Sequence, residues 1–294
     1  MTYRVRHRTD YRYESTVSSS YGEMHLIPRE VPGQVCQSTV VTIEPTPGDY
    51  RERTDFFGNR VAHFAILESH DALTVTVTST VDVSGRQATL PLLADQPWET
   101  VRDATAHAAT AEVIDARQYV LESPSVAISP AVVAWAAPSF PPGRGLLDAL
   151  ADLMARIHRG FEFSPGATSV TTTVDELLEE GAGVCQDFAH LAIAGLRAMG
   201  LAARYVSGYL ETAPPAGEPR LVGADVSHAW ASVFVPGSGW VDLDPTNDQF
   251  VGDRYVTVGW GRDYSDVPPL KGVIFTDGNS HELTVTVDVV PIDG

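Results

Sequence analysis

Along the first ninety residues apolar and polar positions alternate with the period of two that marks a half-buried strand. Tyr3, Val5 and His7 alternate with Arg4, Arg6 and Arg8, and Tyr11-Arg12-Tyr13 continues the pattern. Further strands are predicted at Glu23–Ile27, Gln34–Ile43, Val61–Leu67 and Leu73–Val83, the last alternating valine with threonine. Pro28, Pro32-Gly33, Thr46-Pro47-Gly48-Asp49 and Phe57-Gly58-Asn59-Arg60 supply turn chemistry between them. Clustered strands with little helical signal predict an antiparallel β-sandwich-like domain over residues 1–90.

Over 91–145 proline recurs, at Pro91, Pro97, Pro124, Pro130, Pro138, Pro141 and Pro142, with short helical patches between. This reads as a connecting region. A third part, 146–294, opens on Leu146, Leu147, Leu150, Leu153, Met154 and Ile157 at helical spacing. Thr173–Leu178 is a short helical patch broken by Gly181-Ala182-Gly183. A longer helix is predicted from Val184 to Met199, with Phe188, Leu191, Ala192, Leu196 and Met199 as its apolar stripe and Gly200 as its stop. Strands are expected at Ala203–Leu210, Ser227–Val235, Trp240–Asp244, Val273–Phe275 and Leu283–Val287. Helix first and antiparallel sheet after is an α+β order.

Composition narrows the function. The 294 residues are 44% hydrophobic and 20% charged, as in soluble globular chains, and no apolar stretch approaches a bilayer span. The N-terminus opens directly into a strand pattern without an apolar leader, which points to a cytoplasmic protein that uses no membrane. A formal net charge of −18 repels phosphate backbones and excludes nucleic acid as a partner. The two cysteines, Cys36 and Cys185, are far apart in sequence and form no disulfide framework. Nine scattered histidines show no metal-ligand spacing, and Gly181-Ala182-Gly183 lacks the lysine and preceding strand of a phosphate loop. Neither a metal nor a cofactor is expected.

Three residues carry candidate chemistry. Cys185 begins a predicted helix, where free N–H groups and the helix dipole favour a thiolate and can hold an oxyanion. His228 shares a strand face with Trp230, Ser232 and Phe234; Asp242 and Asp244 share one with Trp240 on the next strand. A cysteine, a histidine and a carboxylate so arranged are what nucleophilic thiol catalysis requires. Periodicity does not choose between Asp242 and Asp244. Asp187 and His190 lie close to Cys185 and read as helix anchors; Trp230 and Trp240 read as core aromatics.

Gly183-Val184-Cys185-Gln186-Asp187-Phe188-Ala189-His190 resembles the nucleophile motif of bacterial transglutaminase-like proteins. Arg204-Tyr205-Val206-Ser207-Gly208-Tyr209 is similar to the strand that follows it in that family. His228-Ala229-Trp230 and Gly239-Trp240-Val241-Asp242-Leu243-Asp244-Pro245-Thr246-Asn247 resemble its histidine and aspartate motifs, and Gly261–Pro269 the segment that closes the core. Leu26-Ile27-Pro28-Arg29 and Asp55-Phe56-Phe57-Gly58-Asn59 resemble the β domain that precedes the core in the same proteins. The resemblance implies a papain-like α+β core and selects Asp244 through its Asp-Pro-Thr pattern. It implies thiol-dependent acyl transfer on a peptide or protein substrate through Cys185, His228 and Asp244. Hydrolysis is the leading expectation, as in a cysteine protease or amidase. Transfer to an amine, or a non-catalytic peptide-binding module, are the alternatives.

One geometric expectation follows. If Asp244 is to face His228, the sum of paired positions in the hairpin between their strands must be even. A five-residue connection, Val235–Gly239, is therefore predicted, pairing Phe234 with Trp240.

Overall fold

The strand read over Tyr3–Tyr13 runs on: in the computed structural model one strand, β1, extends from Thr2 to Met24. The structure describes residues 1–86, 96–211, 216–217, 226–278 and 280–292. β2 (Val35–Glu44), β3 (Asp49–Thr54), β4 (Arg60–Ile66) and β5 (His70–Asp82) follow β1. Four helices come next: α1 (Trp98–His107), α2 (Ala111–Ala116), α3 (Pro130–Ala136) and α4 (Leu146–Gly160). The short strand β6 (Glu162–Phe163) precedes α5 (Val174–Glu180), β7 (Ala182–Gly183) and α6 (Cys185–Ala198). The strands β8 (Ala203–Leu210), β9 (His228–Val235), β10 (Gly239–Asp244), β11 (Gln249–Phe250) and β12 (Tyr255–Gly261) form the second sheet. β13 (Leu270–Thr276) and β14 (His281–Pro291) end the chain.

The first sheet is antiparallel and runs β2-β5-β1-β4-β3, with β13 and β14 also paired to β1. β1 passes between β5 and β14 up to about Tyr13, then between β4 and β13. Its register shifts between Arg12 and Val17, where a strand serving two ladders must bend, and the sheet curls there. The sequence-based division at 146–294 therefore needs one correction. β13 and β14 pair with the first sheet, because β1 offers them free backbone edges along its length. The expected boundary between residues 90 and 91 lies outside the described residues. Residues 96–145 do more than connect: Trp98, Val101, Val126, Val132 and Phe140 enter the same core cluster as α4 and α6.

Helix α6 is the centre of the second part. Every residue from Asp187 to Arg197 is buried, so the predicted one-sided stripe becomes a helix enclosed all round. It packs on Tyr205 of β8 and on Ala229, Ala231, Val233 and Val235 of β9, the odd-numbered face of the second sheet. Gly195 lets Ala136 of α3 approach, with its methyl only 3.2 Å from where a Cβ would sit. The second sheet runs β11-β10-β9-β8-β12, antiparallel. The fold is α+β.

The two sheets are joined at β12. Its bulge between Thr257 and Gly259 frees backbone groups that the buried Gln34 satisfies. Gln34 Nε2 donates to Thr257 O at 2.7 Å, and Thr257 N donates to Gln34 Oε1 at 2.8 Å. Asn59, on the tight turn before β4, donates to Trp260 O at 2.8 Å and accepts from Trp260 N at 2.9 Å. Among the described residues no helix is long and apolar enough to cross a membrane.

Candidate active site

Cys185 occupies the first helical position of α6, and local contacts set its place. β6 and β7 form a short parallel pair, Phe163 opposite Gly183, that pins the chain just before the helix. Gly181 ends α5 in the left-handed region, at φ 69°, and Val184 is extended ahead of Cys185. Asp187 reaches back so that its Oδ2 accepts from Val184 N at 2.8 Å and from the Thr168 hydroxyl at 2.6 Å. This is one half of a capping box, since Val184 has no polar side chain for the other. Burial pushes the Asp187 carboxyl up, against both hydrogen bonds. Asp187 thus anchors the helix start. Gly183 is needed there, as a Cβ would fall 2.8 Å from Leu177 and 2.9 Å from the Asp187 carboxylate. Cys185 itself is a free, half-buried thiol.

His228 and Asp244 meet through the β9–β10 hairpin. Phe234 pairs with Trp240, and Asp242 with Ser232. This is the register expected from the parity of the two faces. The ladder runs one pair further than expected, to Gly239 opposite Val235, so the connection is Pro236 to Ser238. Gly237 and Gly239, at φ 79° and 88°, take left-handed positions that suit so tight a link. In this register Asp244 stands level with Trp230 and diagonal to His228. His228 Nε2 lies 2.8 Å from Asp244 Oδ2, and neither side chain is exposed.

The Asp244 carboxylate is saturated. Oδ1 accepts from Thr246 N at 2.9 Å and from Asn247 N at 3.3 Å. Oδ2 also accepts from the Tyr255 hydroxyl and from Asn247 Nδ2, each at 2.7 Å. The Asp-Pro-Thr-Asn run therefore wraps its own aspartate. Gln249 Nε2 in turn donates to the Tyr255 hydroxyl at 2.6 Å. Sequence reading did not single out Tyr255 or Gln249, because neither stands in a motif and β12 shows no alternation. Asn247 stood in the quoted motif, but nothing there assigned it to the carboxylate.

Burial alone would hold the His228 imidazole neutral. The Asp244 charge and hydrogen bond, and then the Cys185 thiol, outweigh it, and the imidazole is pushed up to about 10. Burial likewise opposes the Asp244 charge, but the facing imidazole and the hydrogen bonds keep its carboxyl below the usual range. A carboxylate only accepts, so Nε2 carries a proton toward Asp244 in either charge state of the ring. Nδ1 is left for the other side. The Cys185 sulfur favours the charged ring, and Nδ1 has no hydrogen-bond partner among the described residues.

The other candidates separate cleanly. Asp242 shares the face of this pair but stands opposite Ser232, four residues along β9 from His228, with its Oδ2 3.6 Å from Arg86 Nη2. His190 is buried, and its Nε2 accepts from Tyr264 N at 3.2 Å, while burial drives its pKa down to about 4. Trp230 is wholly buried, and Trp240 packs on Phe234 and Tyr119. Cys36 is a free thiol on β2, with its sulfur 3.2 Å from Thr39 Oγ1. Among the described residues no three His, Cys, Asp or Glu side chains are grouped to hold a metal ion.

Residues 3–82 match the bacterial transglutaminase-like N-terminal region, and residues 137–245 match the transglutaminase-like superfamily. An uncharacterised protein of Mycobacterium tuberculosis is 47% identical over 300 residues, spanning 99% of this chain and 93% of its own. A candidate cysteine protease of Cytophaga hutchinsonii has the same fold, with a TM-score of 0.74 at 18% identity, over 100% of this chain and 92% of that one. A protein-glutamine gamma-glutamyltransferase of Pseudomonas aeruginosa is 36% identical over 92 residues, 30% of this chain and 14% of its own. The chain belongs to the transglutaminase-like superfamily.

Proposed function

We propose that the protein is a thiol-dependent acyl-transfer enzyme that opens a peptide or amide bond with Cys185, His228 and Asp244 as its triad. One observation carries this reading. His228 is held by Asp244 through Nε2, which leaves Nδ1 for the Cys185 thiol at the start of α6. With the imidazole held up to about 10, Nδ1 of His228 already carries the proton given up by Cys185, and the sulfur attacks the carbonyl carbon of the substrate as a thiolate. Free N–H groups in the first turn of α6 receive the developing oxyanion. The imidazolium then gives its Nδ1 proton to the leaving amine, and the acyl group remains on sulfur as a thioester. Water, losing its proton to Nδ1, attacks the thioester. The carboxylic acid departs, the sulfur leaves as a thiolate, and Nδ1 keeps the proton, which restores the ion pair.

Water is the acceptor in this reading because it outnumbers any amine unless the site excludes it. The local match to the P. aeruginosa transferase favours a second reading, in which an amine resolves the same thioester and an amide is formed.

Mass spectrometry of a peptide library incubated with the protein, with and without a primary amine, separates the readings. Cleaved or deamidated peptides are expected from the unaltered chain and none from Cys185→Ala. Amine adducts would support the transferase. Identical spectra from both proteins would leave only a binding module.

A further inference from the structure

Trp260 carries a guanidinium on each face. The Cζ of Arg29 lies 3.2 Å from the ring centre and that of Arg204 lies 3.6 Å from it. Two groups so near one ring centre must take opposite faces. Arg204 is covered on its other side by Trp240, at 3.9 Å, so three strands and the turn after β1 build a stack of alternating cations and indoles. The stack walls a cavity of about 600 Å3 between loops that flank the first sheet, residues 115–119, and the even-numbered face of the second sheet. Cys185, His228 and Asp244 do not line it.

Arg204 is 6% exposed, and its guanidinium makes no hydrogen bond or ion pair among the described residues; Nε is buried without a partner. With an indole on each face, it can donate only in its own plane. Asp242 attracts it without reaching it. The two residues oppose Ser232 from either side, about 10 Å apart at two strand spacings, and Asp242 turns to Arg86 instead. Burial drives the Arg204 guanidinium down to about 9, as the cost of an unpaired buried charge requires.

Three features define what would fit. The charged side chains lining the cavity are Arg29, Arg86 and Arg204 against Asp115 and Asp242, a surplus of one positive charge. That suits a single carboxylate and disfavours a doubly charged phosphate. The Oδ1 of Asp242 is also buried without a partner and requires a donor. Tyr119 and Trp240 supply an apolar wall.

We propose that this cavity binds an N-acyl amino acid unit, such as the C-terminal residue of a peptide. Its carboxylate pairs with Arg204, its amide N–H meets Asp242, and its side chain lies against Trp240 and Tyr119. The proposal stands whether or not the triad turns substrate over.

Calorimetric titration of the Cys185→Ala chain, which excludes turnover, tests it with three probes: N-acetyl-phenylalanine, its carboxamide and inorganic phosphate. The acid is expected to bind at least about tenfold more tightly than the amide, as a charge-assisted pair requires, and Arg204→Gln should erase that preference. A tetrapeptide ending in phenylalanine with a free carboxylate distinguishes a peptide terminus from a free acyl amino acid, by binding more or less tightly than the small acid. Equal binding of acid and amide, or phosphate binding as tightly as the acid, would overturn the proposal. The same comparison decides if Arg204→Gln does not fold.

Discussion

Asp244 holds the imidazole of His228 from the neighbouring strand, Oδ2 to Nε2 at 2.8 Å, with both side chains sealed from solvent. The carboxylate takes three of its other hydrogen bonds from Thr246 and Asn247, immediately after it in the chain. The position of the ring is therefore fixed by the hairpin and by the turn that follows it.

Replacing Asp244 with Asn keeps the shape and removes the charge that raises the imidazole. Burial then dominates, and His228 is expected to titrate below its ordinary 6.5 instead of near 10. The stability linked to His228 in the unaltered chain is fully present below pH 6.5 and is lost as pH rises toward about 10. That linked to Asp244 has the opposite sign: present above 3.8 and lost as pH falls through its depressed value. Histidine NMR titration checks the first statement. Thermal unfolding from pH 6 to 10 checks the second, with the unaltered chain losing stability that Asp244→Asn does not have to lose.

Much of this site was legible because a strand repeats every two residues. Once Asp244 was to face His228, parity ruled out Val235 opposite Trp240 and pointed to Phe234 opposite Trp240, and the structure has that pair. Other parts left no such mark. No strand is predicted over Tyr255–Gly261, because all of it is buried or half-buried and its register slips at Val258. β13 and β14 alternate, but alternation names no partner, and theirs is β1 at the other end of the chain. Arg204 read as a motif residue; its place between Trp240 and Trp260 depends on two other strands meeting over it. Asp242, the rival in sequence, is kept from the His228 contact by the register, which sets it opposite Ser232.

Gly208 stands opposite His228 on β8. A methyl group there would press on the carbonyl oxygen of Val256 and on the indole of Trp230, well inside van der Waals contact. The carbonyl belongs to a paired strand and cannot withdraw. Gly208→Ala is expected to destabilise the protein by about 2–3 kcal/mol, as overpacking of a closed core does. Denaturant unfolding measures it, and an unchanged midpoint would count against the packing described around His228.

Asn59 is buried and bonds Trp260 in both directions, Arg29 through Oδ1 at 2.7 Å, and Asp55 through Nδ2 at 2.8 Å. Asn59→Ala leaves the Trp260 backbone groups buried without partners. A loss of about 2–4 kcal/mol is expected, since each orphaned group carries its own desolvation cost. Denaturant unfolding checks this too. Calorimetry should show the joint between the two sheets loosening before the cores melt.

The most direct measurement of the central claim needs no substrate. Alkylation by iodoacetamide, followed by peptide mass spectrometry across pH 5 to 9, reports which thiol is the nucleophile and what activates it. Cys185 is expected to be modified well below neutral pH and before Cys36, with the acid-side reactivity lost in His228→Ala. A Cys185 that reacts no faster than Cys36, or equally fast without His228, would contradict the triad.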